Sequence, residues 1–222
     1  MNELIKLFNA GGIVMYPLLF ISILIIALAV ERLYFWSKIG NRQQQLIQTI
    51  LDLYRNQSTL AIDRLKRERD LPIARIFMAA ISLKDPTPEA FKLAIENEAH
   101  AEIPILRRFI NVFDAAISLA PLLGLLGTVT GLITSFASLK IGQAGGGGSS
   151  NVVGGISEAL VSTASGVIVA ILASICANLF RGLYQQQIAQ ISESTGQLEL
   201  IHRCRWDEER SMNKYEITGT KY

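Results

Sequence analysis

Two long uncharged stretches of the sequence contain hydroxyl residues that could do chemistry. Thr128 lies within the stretch 115–139, Thr163 lies within the stretch 158–180, and Glu158 begins the second stretch. Hydroxyl groups inside a membrane segment can stand in for water around an ion or a proton carrier. An acid at the edge of a membrane segment is a default candidate for ion entry. These residues therefore predict an ion pathway that includes Thr128, Thr163 and Glu158.

The small residues beside these hydroxyl groups have a structural interpretation. On a helical wheel, Gly124, Thr128 and Gly131 fall on one face of their stretch, and small residues let two helix backbones approach closely. Alanine would pack between two helices as well as threonine does. The presence of Thr128 and Thr163 therefore favours the interpretation as an ion pathway over that of a packing face. For Glu158 both interpretations stand, because a carboxylate in a first helical turn is also favoured by the helix dipole. The residues predicted to serve helix packing are Gly124, Gly127, Gly131, Gly166 and Ala170.

The elements that carry these residues are predicted to be membrane-spanning helices. Half of the residues are hydrophobic and only 18% are charged, which is unusual for a soluble domain. Uncharged runs at 7–30, 115–139 and 159–180 each exceed the length of about 18 residues that distinguishes a membrane span from a buried helix, and the predicted spans are 13–35, 115–139 and 158–180. The sequence thus predicts an all-α membrane protein with three spans. The first span is apolar nearly all round, which suits contact with lipid.

The basic residues predict the orientation of these spans. Lys and Arg concentrate between spans one and two and after span three, while the other two connecting segments carry little positive charge. Positively charged flanks stay in the cytoplasm, so we expect a periplasmic N-terminus and a cytoplasmic C-terminus. The predicted segments outside the spans are a periplasmic N-terminus at 1–12, a cytoplasmic helical segment at 36–114, a periplasmic Gly/Ser loop at 140–157, and a cytoplasmic helix and tail at 181–222.

The cytoplasmic segments are predicted to extend the spans as helices. Thr87 or Asp85 is expected to cap a helix that starts at Pro88, because both residue types accept hydrogen bonds from free N–H groups. From there the pattern predicts one long helix that runs straight into span two and bends at Pro104. The third span is expected to continue as a polar helix from Arg181 to about residue 214.

The sequence gives no sign of catalysis, cofactor or metal binding, or nucleic-acid recognition. His100 and His202 are isolated, and the basic residues are mixed with acids instead of being gathered with aromatic residues. No Asp, Glu, His, Lys or Arg lies inside the predicted core of a span. A proton path needs a titratable carrier, so any proton pathway here would need that group from another polypeptide.

Two motifs resemble a known family. The runs APLLGLLGTVTGLITSF (120–136) and GGISEALVSTASGVIVAI (154–171) are similar to the signature of the MotA/TolQ/ExbB proton-channel family, and the three-span layout and short length match its ExbB/TolQ branch. Thr128 matches the threonine of span two in the family, Thr163 the threonine of span three, and Glu158 the acid that starts span three. Leu172 departs from the pattern, since many members have proline there.

The resemblance implies a motor subunit of the bacterial inner membrane. It implies a homo-oligomer, expected to be a pentamer, around the single span of an ExbD/TolR-like partner that supplies the titratable Asp. Proton flow would then do work at the cell envelope or in outer-membrane transport, with a TonB/TolA-like protein as a further possible partner. Two alternatives stay open, namely a membrane scaffold that conducts no ions and a sodium-driven member of the same family.

Overall fold

The computed structural model of the chain describes residues 8, 10–56, 58–141 and 148–219. Of the sequence predictions, most of the segment 1–12, residues 142–147 of the loop, and the last three residues of the tail lie outside the described residues. Within the described ranges the chain is helical and contains no strand. The predicted all-α class is confirmed for this part of the chain.

Six helices form the described structure. They are α1 (Met15–Asn56), α2 (Ser58–Arg67), α3 (Pro72–Ile81), α4 (Pro88–Leu106), α5 (Ile110–Ile141) and α6 (Gly148–Gly219). The helices α1, α5 and α6 each contain a stretch long and apolar enough to cross a membrane, with mean hydropathy values of 2.2, 1.9 and 2.2. Thr87 caps α4, since its hydroxyl oxygen accepts the Ala90 N–H at 3.2 Å.

The structure differs from the sequence prediction at the start of α5 and at the start of α6. The expected continuous helix from Pro88 into span two is wrong at the junction, because α4 ends at Leu106 and α5 begins at Ile110. Phe109 has a φ of 69°, in the left-handed region, where an α-helix cannot continue. At the start of α6, residues 148–157 of the predicted Gly/Ser loop are helical and form the first turns of that helix. The apolar run 159–180 that follows is helical, and its helix extends back into the glycine-rich segment.

The chain divides into two compact units. We call Met1–Leu33 with Phe109–Arg181 the membrane unit, and Tyr34–Arg108 with Gly182–Tyr222 the extension unit. In the membrane unit, the rings of Phe113 and Phe180 pack 5.5 Å apart, and the Arg181 guanidinium donates a hydrogen bond to the Asp114 carboxylate. The Arg32 guanidinium is buried and lies 5.1 Å from the centre of the Phe109 ring. These contacts join the three spans at one end of the membrane unit.

The extension unit has its own apolar core. Helices α3 and α4 pack against each other, and Phe77 and Phe91 are fully buried. A partly buried ion pair fixes the same region, since the Arg75 guanidinium donates two hydrogen bonds to the two carboxylate oxygens of the buried Glu102. These hydrogen bonds raise the pKa of Arg75. An ion pair with both oxygens engaged orients its helices more strictly than apolar contact does.

A buried histidine ties three segments of the extension unit together. The His202 Nδ1 lies 2.8 Å from the Tyr54 hydroxyl, and its Nε2 lies 3.0 Å from the Pro86 carbonyl oxygen. A carbonyl only accepts, so Nε2 carries the hydrogen of the neutral ring and Nδ1 accepts from Tyr54. The Phe91 ring stacks on the imidazole with centres 4.0 Å apart. The sequence analysis took His202 as isolated, but its partners are distant in sequence.

Acidification is expected to destabilise the extension unit through His202. Burial lowers the pKa of His202 below its ordinary value of 6.5, and the positive charge of Arg205 acts in the same direction. At a pH between the folded pKa and the unfolded pKa, His202 binds a proton in the unfolded chain but not in the folded chain. The contribution of the neutral His202 ring to the stability of the folded chain is therefore complete above about pH 6.5 and is lost as the pH falls through the folded pKa. Thermal unfolding of the full chain in detergent, followed from about pH 7 to about pH 5, should show a falling midpoint. In His202→Gln the midpoint should be lower at neutral pH and should fall less steeply. Parallel curves for the two proteins would contradict this prediction.

Candidate functional site

Helices α5 and α6 pack backbone to backbone along a glycine seam in the membrane unit. A Cβ atom placed on Gly166 would lie 2.5 Å from the Ala120 carbonyl oxygen and 3.1 Å from the Gly124 Cα. A Cβ atom on Gly124 would lie 3.0 Å from the Ser162 carbonyl oxygen, and one on Gly131 would lie 3.1 Å from the Ala159 nitrogen. Real Cβ atoms essentially never come closer than 3.0 Å, so the approach at Gly166 requires glycine.

The remaining residues predicted to serve packing are also buried. The Gly127 position faces the Ser162 side chain, and Ala170 is only 9% exposed. Each of the predicted packing residues therefore lies in a buried part of the membrane unit, and Gly124, Gly127, Gly131 and Gly166 lie on the α5–α6 seam. Their role in assembly stays a prediction.

Thr163 lies at the seam and bonds across it. Its hydroxyl donates to the Gly124 carbonyl oxygen at 3.1 Å, although the two residues are 39 positions apart in sequence. The neighbouring Ser162 hydroxyl reaches the same carbonyl at 3.3 Å and the Ala159 carbonyl at 2.9 Å. Two hydroxyl groups of α6 thus lie within hydrogen-bond distance of the single Gly124 carbonyl oxygen.

Thr128 is half-buried and bonds within its own helix. Its hydroxyl donates to the Leu125 carbonyl oxygen at 2.6 Å. Thr130 and Thr134 make similar bonds to carbonyl groups of α5. In every one of these bonds the carbonyl can only accept, so the hydroxyl hydrogen is used and the oxygen keeps its lone pairs. Thr128 and Thr163 therefore offer acceptors to any group that comes near them.

Glu158 lies apart from Thr163 on α6. The two residues are separated by about 140° around the helix axis at about 100° per residue. Glu158 is half-buried and its side chain lies against Gly12, in the turn that leads into α1. The structure therefore brings Thr163 to the α5–α6 seam and Glu158 to the start of span one.

The sequence analysis missed Gly12 as a neighbour of the predicted site. Gly12 has a φ of 71°, so the turn at this position favours glycine. The pair Gly11-Gly12 at the start of an apolar run was a signal for a turn, but nothing local indicated that the turn meets Glu158. The ion pair between Asp114 and Arg181 was missed as well, although opposite charges at adjacent ends of spans two and three could have suggested it.

The broad aliphatic faces of α5 and α6 are exposed in the single chain. On α5 they include Leu125, Val129 and Phe136, each at least half exposed, and on α6 they include Leu160, Ile168 and Ile175. These faces are free to meet lipid or other protein chains. Among the described residues, no group of three His, Cys, Asp or Glu side chains is placed to hold a metal ion.

Sequence comparison with known proteins identifies a family and several relatives of this chain. Residues 68–193 match the family described as the MotA/TolQ/ExbB proton channel family. The putative biopolymer transport protein ExbB-like 3 of Synechocystis sp. is 51% identical over 87% of this chain and 92% of its own length. ExbB-like 1 of the same organism is 41% identical over 93% of this chain and 82% of its own.

A third relative is more distant in sequence. The putative biopolymer transport protein ExbB homolog of Methanothermobacter thermautotrophicus is 24% identical over 91% of this chain and 69% of its own length. Proteins of this family are channel and transport subunits, so the chain is not an enzyme. The resemblance inferred from the two sequence motifs is confirmed, and the chain belongs to the MotA/TolQ/ExbB proton channel family.

Proposed function

We propose that this protein is the channel subunit of a proton-driven motor in the bacterial inner membrane. Several copies, as a pentamer, surround the single span of an ExbD/TolR-like partner, and the N-terminus is periplasmic. The observation that carries the proposal concerns the hydrogen bonds of the Thr128 hydroxyl in span two and the Thr163 hydroxyl in span three. Each donates its hydrogen to a backbone carbonyl and so keeps only acceptor lone pairs.

This chemistry suits a neutral carboxylic acid. A protonated carboxyl has one O–H donor, which an acceptor hydroxyl can bind without a net charge in the membrane. Residues 115–139 and 159–180 contain no titratable Asp, Glu or His of their own. The carrier would therefore come from the partner, and the family resemblance implies an Asp, which takes up a proton, passes Thr128 and Thr163 in neutral form, and releases the proton on the other side. Flow of protons along this path drives work at the cell envelope or outer-membrane transport.

A scaffold without ion conduction is the second candidate. It is favoured by the same contacts, because all of these hydroxyls already bond to backbone and the glycines pack tightly. A sodium-driven channel is the third, since hydroxyl and carbonyl oxygens also bind Na⁺. The three functions make different predictions for ion flux.

Flux measurements in proteoliposomes test the proposal. Vesicles that contain this protein and its single-span partner should acidify inside when an inside-negative potential is applied in sodium-free buffer. Vesicles with either protein alone, or with the partner's Asp changed to Asn, should not acidify. Absence of flux with both proteins would favour the scaffold, and flux that appears only with sodium would favour the sodium channel.

A further inference from the structure

We propose that Gly12 is a positioning residue for the Glu158 carboxylate. This inference rests on the proposed function and on the predicted place of Glu158 in the ion pathway. The structure places the turn at Gly11-Gly12 directly against the Glu158 side chain, so the carboxylate is held on the side of α6 that faces the start of span one.

The contact leaves no room for a side chain at position 12 unless the Glu158 side chain moves. A Cβ atom on Gly12 would lie 2.6 Å from Glu158 Cδ and 3.1 Å from its Cγ, and it would overlap the carboxylate oxygen Oε1. The backbone of Gly12 therefore forms the wall on which the carboxylate rests. The φ of 71° at Gly12 turns this part of the backbone toward α6 in a conformation that side chains rarely adopt.

Neighbouring contacts fix the turn on α6. A Cβ atom on Gly11 would lie 3.3 Å from the Val161 side chain, one helical turn after Glu158. Val14, which follows the turn, is buried and lies close to Gly127 of the seam. The turn is thus held between α5 and α6, and Gly12 cannot move away from Glu158 without loss of these contacts. In this arrangement the Glu158 carboxylate lies beside the start of span one, away from the face of α6 that carries Thr163.

A rescue experiment separates positioning from backbone strain. Gly12→Ala should lower the initial rate of proton flux about tenfold, because the added methyl group displaces the carboxylate. Glu158→Asp shortens the side chain, so that its carboxyl carbon takes the position of Cγ, 3.1 Å from the new Cβ atom. In the double variant, the flux should therefore return to the level of Glu158→Asp alone. Gly154→Ala is the matched control, since a Cβ atom there meets nothing within 4 Å, and its flux should equal that of the wild type.

Two outcomes of this experiment would overturn the proposal. Wild-type flux in Gly12→Ala would show that the position does not matter. An equal loss on the Glu158→Asp background would show that the methyl group acts through strain in the turn, because that strain does not depend on the length of residue 158.

A disulfide test needs no ion flux. Gly12→Cys with Glu158→Cys, in full-length protein with Cys176→Ser and Cys204→Ser, should form an intrachain disulfide, counted as free thiols before and after reduction. Gly12→Cys with Thr163→Cys should not, because position 163 lies on another side of α6. If neither pair forms a bond, the position of Glu158 inferred here is wrong. If the first pair forms its bond but the wild type conducts no ions, the proposed function fails and the contact stands.

Discussion

Gly166→Ala is expected to separate α5 from α6 and to abolish function. The new Cβ atom would lie 2.5 Å from the Ala120 carbonyl oxygen and 3.1 Å from the Gly124 Cα, while ordinary contact begins near 3.4 Å. Both neighbours are backbone atoms, so no flexible side chain can give way and the helices must move apart. Overpacking of this kind costs about 1–3 kcal/mol. The movement would also break the bond between Thr163 and Gly124.

The measurement for this prediction is thermal unfolding in detergent together with proton flux in vesicles. Gly154→Ala in the same helix is the control, because it adds the same methyl group in open space. Alanine favours a helix over glycine by about 1 kcal/mol, so the control should be as stable as the wild type or slightly more stable. The two variants should thus change the midpoint in opposite directions. An unchanged or raised midpoint in Gly166→Ala would contradict the close packing described here.

Thr163→Ala is expected to lower proton flux about ten- to a hundredfold, while the protein still folds and assembles. The variant removes the hydroxyl that binds the neutral acid of the partner. It does not leave the Gly124 carbonyl without its second bond, because the Ser162 hydroxyl still reaches that oxygen at 3.3 Å. Loss of one bond to a buried polar group costs about 1–3 kcal/mol, which corresponds to a loss of flux of about ten- to a hundredfold.

Thr163→Ser provides the matched comparison, since it keeps the hydroxyl and removes only the methyl group. Flux in the serine variant should stay within a few-fold of the wild type, and both variants should run as the same oligomer in size-exclusion chromatography. Wild-type flux in Thr163→Ala would exclude the proposed role of this residue. A variant that fails to assemble would show that the hydroxyl serves packing.

The sequence predicted the spans well because their signal is local. A charge-free run of more than about 18 residues has few structural solutions, and the predicted spans fall largely within α1, α5 and α6, the three long apolar helices of the described structure. Helical periodicity also placed Gly124 and Gly131 on one face. It could not tell which helix that face would meet, and the structure shows that α6 of the same chain packs there.

The errors arose where contacts distant in sequence decide the local conformation. The helix from Pro88 was expected to run past residue 109, but Phe109 takes a left-handed backbone and its ring meets Arg32, far away in sequence. His202 looked isolated because its partners Tyr54 and Pro86 lie more than a hundred positions before it. Nothing local to Glu158 indicated that its side chain would lie against Gly12. Periodicity gives the direction of a side chain and leaves its partner undetermined.

The Gly124 carbonyl oxygen has more potential hydrogen-bond donors near it than it has lone pairs to accept them. A carbonyl oxygen has two lone pairs, and in a helix one of them accepts the N–H of the residue four positions later, here Thr128. Ser162 and Thr163 then compete for the other, and Ser162 has the Ala159 carbonyl as an alternative. The hydrogen bond across the seam therefore has a spare donor, since either hydroxyl can occupy the Gly124 oxygen when the other is removed by substitution.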